Sequence, residues 1–158
     1  MKSTHSTRRG RALDYPVQLD PEPDGGFTVS FPDFSTPQQP GGGYSSGRTR
    51  EEALVQAADL LETIIANHLA ENWDIPAPSP AGGRPLVRLD PLTAIKVDLY
   101  RSMRAAGLTK AELARRIGIA PQRVQRLFDT NHASQLDQLE PAFAALGRRL
   151  LVASEAAA

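Results

Sequence analysis

The stretch "GLTKAELARRIGIAPQRVQRLF", residues 107–128, decides how the second half of the chain folds. Gly107 ends one helix. Thr109 caps the next, and Glu112 three residues on completes a capping box. Leu113, Ala114 and Ile117 form that helix's apolar stripe. Gly118 stands where the chain must turn sharply, and glycine takes positive φ without steric cost. Pro121 suits the first position of a new helix, whose Val124, Leu127 and Phe128 point back at the one before. Ala114 is small enough for the two helices to cross closely. The spacing predicts a helix-turn-helix.

With Val124 and Leu127 facing inward, the outer face of the second helix carries Gln122, Arg123, Gln125 and Arg126. Arginine and glutamine pair in bidentate fashion with guanine and adenine edges in the major groove. Thr109, Lys110, Arg115 and Arg116 flank that face, where phosphates would lie. The competing reading is a small helical domain whose arginines are merely solvated. Cap, small residue, turn glycine and outward Arg/Gln agree on DNA instead.

The remaining composition sets the context. The chain has 158 residues, 41% of them hydrophobic, enough for one domain or two small ones with packed cores. It has no cysteine, which removes disulfides, thiolate zinc sites and cysteine nucleophiles. No apolar run is long enough to span a bilayer, and "MKSTHSTRRGRA" has no apolar segment behind its charges. We expect a cytoplasmic protein with a flexible basic tail over 1–12. The formal net charge is zero, but it is divided. Residues 91–158 hold ten Lys+Arg and six Asp+Glu, whereas 12–83 hold two arginines and eleven carboxylates. Two surfaces of opposite sign imply two kinds of partner.

Upstream, "ALDYPVQLD" and the alternating "FTVSF" read as a hairpin across the turn-rich "PEPDGG". After the loop "PDFSTPQQPGGG", "YSSGRT" reads as a third strand. Thr49 and Glu52 open a long helix reaching about residue 72, with Leu54, Ala57, Leu61, Ile64, Ile65 and Leu69 on one face. "DIPAPSPAGGRP", 74–85, reads as a linker, and "LVRLD" as a fourth strand with Leu86 or Val87 inward. Further helices are expected over 93–106, 110–117, 121–128 and 135–146, then the apolar tail "LLVAS". The fold class is α+β, a βββα(β) domain over 13–90 followed by an all-α helix-turn-helix domain over 91–153 and a tail over 154–158.

"YPVQLDPEPDGGFTVSFPDF", "SGRTREEALVQAADLLETII" and "DIPAPS" resemble the N-terminal domain of HicB antitoxins. The segment from "KVDLYRSMRAAGLTK" to "AFAALGRRL" resembles the helix-turn-helix form of that family. One departure is "STPQQPGGGYSS", longer than the turn expected after "FPD". The resemblance implies a shortened RNase H-like N-terminal domain without nuclease activity. It implies a HicA partner, a small basic mRNA-cleaving ribonuclease toxin with a catalytic histidine. It also implies a C-terminal domain that forms a homodimer or higher even-numbered oligomer on operator DNA and represses its own operon. No cofactor or metal, no catalytic residue and no membrane are expected.

Two other classes compete. One is a stand-alone helix-turn-helix regulator with a ligand-sensing N-terminal domain. The other is a metal-dependent nuclease using Asp14, Asp20, Asp24, Asp33 or Asp59, but no spacing forces those carboxylates together. His5, His68 and His132 are dispersed and read as surface residues. Phe34, Tyr44 and Trp73 are candidate anchors for a toxin. The plainer readings put Trp73 against the sheet and make "LLVA" an edge strand that a second chain would pair.

Overall fold

The computed structural model describes residues 13–35, 42–154 and 156. The expected tail over 1–12, His5 and residues 36–41 of the long loop lie outside the described residues. By contacts the chain divides into two units, residues 1–67 with 76–90, and residues 68–75 with 91–158.

The first unit contains strands Asp14–Pro16 (β1), Gln18–Pro21 (β2), Phe27–Ser30 (β3), Ser45–Gly47 (β4) and Leu86–Arg88 (β5). A single 3-10 turn spans Pro32–Phe34, and helix α1 runs Arg50–Glu71, its last turn counted with the second unit. β2, β3 and β4 form an antiparallel sheet in that order, with Leu19 opposite Val29 and Val29 opposite Ser45. The expected first strand is divided at Val17, whose N–H donates to the Pro85 carbonyl at 3.0 Å. Before that point β1 pairs with β5; after it β2 pairs with β3. One extended run therefore serves two sheets. The expected fourth strand exists, but lies in a separate two-stranded sheet with Val87 buried and Leu86 exposed.

Tyr15, Val17, Val29, Phe31 and Phe34 are buried in this unit, with Ala53, Ala57, Leu61, Ile64 and Ile65 from α1. Gly47 is fixed by closeness rather than by backbone angle. A Cβ there would lie 2.3 Å from the Ala53 amide nitrogen in the first turn of α1. At the start of α1, Thr49 Oγ1 accepts the Glu52 N–H, while Glu52 itself accepts from Arg48 N–H at 3.0 Å. The Pro/Gly-rich segment expected as a linker is fastened at two points. Tyr15 Oη donates to the Pro76 carbonyl at 2.8 Å, and Asp33 accepts the Ser79 N–H at 3.0 Å.

The second unit contains the last turn of α1 and helices Pro91–Ala105 (α2), Lys110–Ile117 (α3), Pro121–Leu127 (α4) and Leu136–Ala145 (α5). α2 starts two residues earlier than expected because Pro91 is itself a good first helical residue. α1 ends at Glu71, and Asn72 just beyond it takes the left-handed conformation at φ 57°. His68 was expected on the surface and is fully buried, its ring edge-on to Trp73 at 5.4 Å. Trp73 belongs to this unit, remains 42% exposed, and its carbonyl accepts Tyr100 Oη at 2.9 Å. The "LLVA" segment forms no strand here, and Leu151 and Val152 are exposed.

Candidate functional site

The arginine-bearing face is built on α3, α4 and the turn joining them. Thr109 closes the start of α3 in both directions: its Oγ1 accepts the Glu112 N–H at 3.2 Å, and its own N–H donates to Glu112 Oε2 at 2.7 Å. The Thr109 N–H first, and then its hydroxyl, donate to the Glu112 carboxylate and hold it below its ordinary pKa, with Arg115 and Arg116 adding to it. Gly118 sits at φ 75°, in the left-handed region, and ends α3. The Gly118 and Ile119 N–H groups both donate to the Ala114 carbonyl, at 2.9 and 3.1 Å. Pro121 then opens α4.

Inside this turn, Leu113, Ala114, Val124, Leu127 and Phe128 are buried. Outside it, Arg115, Arg116, Gln122, Arg123, Gln125 and Arg126 are all exposed. None of the six makes a side-chain hydrogen bond or ion pair with another described residue. Four guanidinium groups thus stay available, each with five donors and a permanent charge. Such a face can accept phosphates and base edges.

Thr109 and Lys110, expected to flank this face, both make bonds within the unit. Thr109 is committed to its cap. Lys110 Nζ donates to the Leu69 carbonyl at 2.6 Å, near the end of α1. It also lies 5.9 Å from the Tyr100 ring centroid and 5.4 Å from that of Phe128. Burial lowers its pKa. Its role is to close a helix end, because the last carbonyls of a helix lack backbone partners.

A second lysine does the same without having been singled out in the sequence. Lys96 is fully buried in α2, and its Nζ donates to the carbonyls of Arg126, Asp129 and His132. These carbonyls lie at the end of α4 and in the loop beyond it. A signal was present: Thr93, Lys96, Val97 and Tyr100 fall at helical spacing and are all buried. Tyr100 and Arg104 extend the fastening: Arg104 pairs with Asp74 at 2.6 Å, which raises the Arg104 pKa. Burial, chiefly, raises that of Tyr100.

The toxin-anchor candidates separate by exposure. Tyr44 is 73% exposed beside β4. Phe34 has no exposed surface and packs on the Tyr15 ring at 5.0 Å, so it cannot serve as an anchor. Four of the five carboxylates considered for metal have local roles, Asp33 with the Ser79 N–H as above. Asp14 pairs with Arg88, Asp20 accepts from Gln18 and Asp24 from the Gly26 N–H. Among the described residues no three His, Asp or Glu side chains converge as a ligand set.

A family model for "HicB_like antitoxin of bacterial toxin-antitoxin system" matches residues 14–98. The chain belongs to the HicB-like antitoxin family. It is 37% identical over 143 residues to Antitoxin HicB 1 of Photorhabdus laumondii, covering 90% of this chain and 88% of that one. It is 39% identical over 139 residues to Antitoxin HicB of Escherichia coli K12, covering 87% and 96%. With Antitoxin HicB of Pseudomonas fluorescens it shares 40% over 117 residues, 72% and 80% of the two chains. The HicB-like match ends at residue 98, before α3 and α4, whereas the Photorhabdus and Escherichia alignments cover most of the chain. No helix among the described residues is long and apolar enough to cross a membrane.

Proposed function

We propose that this HicB-like antitoxin divides its work between the two units. The first neutralises a small basic HicA-type mRNA-cleaving ribonuclease. The second is a helix-turn-helix that binds operator DNA and represses the chain's own operon. The observation that carries the DNA assignment is the six exposed Arg and Gln side chains of α3 and α4, none of them hydrogen-bonded or ion-paired with another described residue. Arg123 and Arg126, with Gln122 and Gln125, read base edges. Arg115 and Arg116 meet phosphates. The exposed Leu151 and Val152 suit a partner copy, so the protein acts as a homodimer or higher even-numbered oligomer in the cytoplasm.

Family membership and charge support the toxin assignment. Eleven carboxylates against two arginines over 12–83 suit an RNA-binding partner of opposite sign. The antiparallel strands and 22-residue α1 fit a shortened RNase H-like domain that binds rather than cleaves. Tyr44 is its exposed aromatic contact. Inhibition is steric, and the protein is not an enzyme. The test uses the full chain with a purified HicA-type ribonuclease and, separately, with its own promoter. RNA cleavage should stop at equimolar antitoxin, and added salt should slow association more than it speeds release. Continued cleavage would overturn the antitoxin half. Promoter affinity unchanged in both Arg123→Ala and Arg126→Ala would overturn the DNA half.

A further inference from the structure

We propose that Lys96 is a positioning residue for DNA reading: it sets the end of α4 and the following loop, and through them the aim of Arg123 and Arg126. The inference rests on α4 being the reading helix. It goes further in assigning specificity to a buried residue of another helix that touches no DNA.

α4 is only seven residues long and has no side-chain cap at its start. Its own backbone bonds cannot fix its direction, because a helix this short has few of them. The other end is fastened instead. The Arg126 carbonyl accepts from Lys96 Nζ at 3.4 Å and from Ser134 Oγ at 3.3 Å. The same Nζ takes the Asp129 and His132 carbonyls. Between them the loop folds on itself: Asn131 N–H donates to Asp129 Oδ1, His132 N–H to the Asp129 carbonyl, and Ser134 N–H to the His132 carbonyl. One buried ammonium thus gathers three carbonyls from seven residues. Arg126 supplies both the fastened carbonyl and an exposed guanidinium, so the hold acts on a reading residue directly.

Bidentate pairing with a base edge needs the side chain's origin placed closely, while a phosphate contact tolerates more play. Loosening α4 should therefore reduce binding to the operator more than binding to unrelated DNA. A merely structural role would lower melting temperature and leave the ratio of the two affinities alone below the melt. The variants are Lys96→Met, which keeps length and removes the donors, and Ser134→Ala, which removes one bond to the Arg126 carbonyl. Full-length protein is titrated on promoter DNA and on a scrambled duplex of equal length, well below each variant's melting temperature. Amide exchange over 126–134 is followed in parallel.

Lys96→Met should lower the specificity ratio by about tenfold, the size of one mispaired base contact, and speed exchange over 126–134. Ser134→Ala should lower it about threefold. An unchanged ratio in folded Lys96→Met overturns the proposal, as does an unchanged ratio in Ser134→Ala should Lys96→Met not fold. Unaltered exchange over 126–134 overturns it as well. Arg123→Ala and Arg126→Ala form the separating arm. If neither weakens operator binding, α4 is not the reader and the parent assignment fails. If they do and the Lys96 ratio holds, only this inference fails.

Discussion

The two units are held together by different means. In the first, the described buried side chains are apolar, and the tightest constraint is the approach of Gly47 to the backbone of α1. In the second, four of the described buried residues are polar or charged, namely His68, Thr93, Lys96 and Ser134. There, lysines fasten helix ends, while the arginines remain outside. The difference follows from element length. A 22-residue helix over strands offers enough continuous apolar face to hold itself. Helices of seven, eight and ten residues leave many unpaired carbonyls per residue buried, and a lysine amine satisfies several at once.

The largest expected effect tests the first half of that comparison. Gly47→Ala places a Cβ against main-chain atoms that cannot rotate away, with Ala53 Cα at 2.6 Å as well. The cost should be about 3 kcal/mol, at the upper end for overpacking. Urea unfolding followed by far-UV dichroism measures it. Parent-like stability would mean that close approach does not constrain this unit.

Next comes the fastening itself. Lys96→Met should destabilise the second unit by about 1.5–3 kcal/mol, the range for charge-assisted bonds to buried carbonyls. Lys110→Met removes a similar bond at a half-exposed site and should cost less. Thermal unfolding of the two variants side by side gives the order. A larger loss in Lys110→Met would reverse the argument from burial.

The outward cations should act on binding and hardly on stability. Arg123→Ala or Arg126→Ala should weaken operator binding by about 1–3 kcal/mol with the melting temperature unchanged. Lys110→Met should leave the salt dependence of DNA binding alone, because its charge is used inside the protein. A shallower salt slope in Lys110→Met, measured by band shift, would return that lysine to the phosphate-facing set.

Hydropathy made the first unit readable. The hairpin, α1 and its buried stripe follow from alternation and helical spacing, and Val29 and Phe31 of the alternating strand are buried. The partner switch at Val17 was not readable, since an extended run carries no mark of which strand pairs with which half. In the second unit the cap at Thr109, the turn at Gly118 and the proline start of α4 were legible because each rests on one residue's local chemistry. Lys96 was not, because a charged residue on an apolar stripe is ordinarily assigned to solvent, and its carbonyl partners lie thirty or more residues away. Lys110 misled for the same reason: beside Arg115 and Arg116 it reads as one more exposed cation. Phe34 misled in the opposite sense, since an aromatic residue in a loop can anchor a partner or fill the core behind it.

The smallest effect sharpens the comparison within α3, where Glu112 and Lys110 stand two residues apart. Both have lowered pKa values for opposite reasons. Thr109 stabilises the charged carboxylate of Glu112, whereas burial disfavours the charged ammonium of Lys110. The unfolded chain therefore binds more protons than the folded one in both windows, and stability rises with pH through each. For Glu112 the contribution is present above 4.5 and is lost as pH falls through the lower, folded value. For Lys110 the gain comes as pH climbs from its lowered folded value towards 10.5. Glu112→Gln should flatten the acid limb of melting temperature against pH and leave the alkaline limb unchanged. Lys110→Met should do the reverse. An alkaline limb unaffected by Lys110→Met would show that its ammonium is as well solvated in the fold as in the open chain, and would place it with the outward arginines.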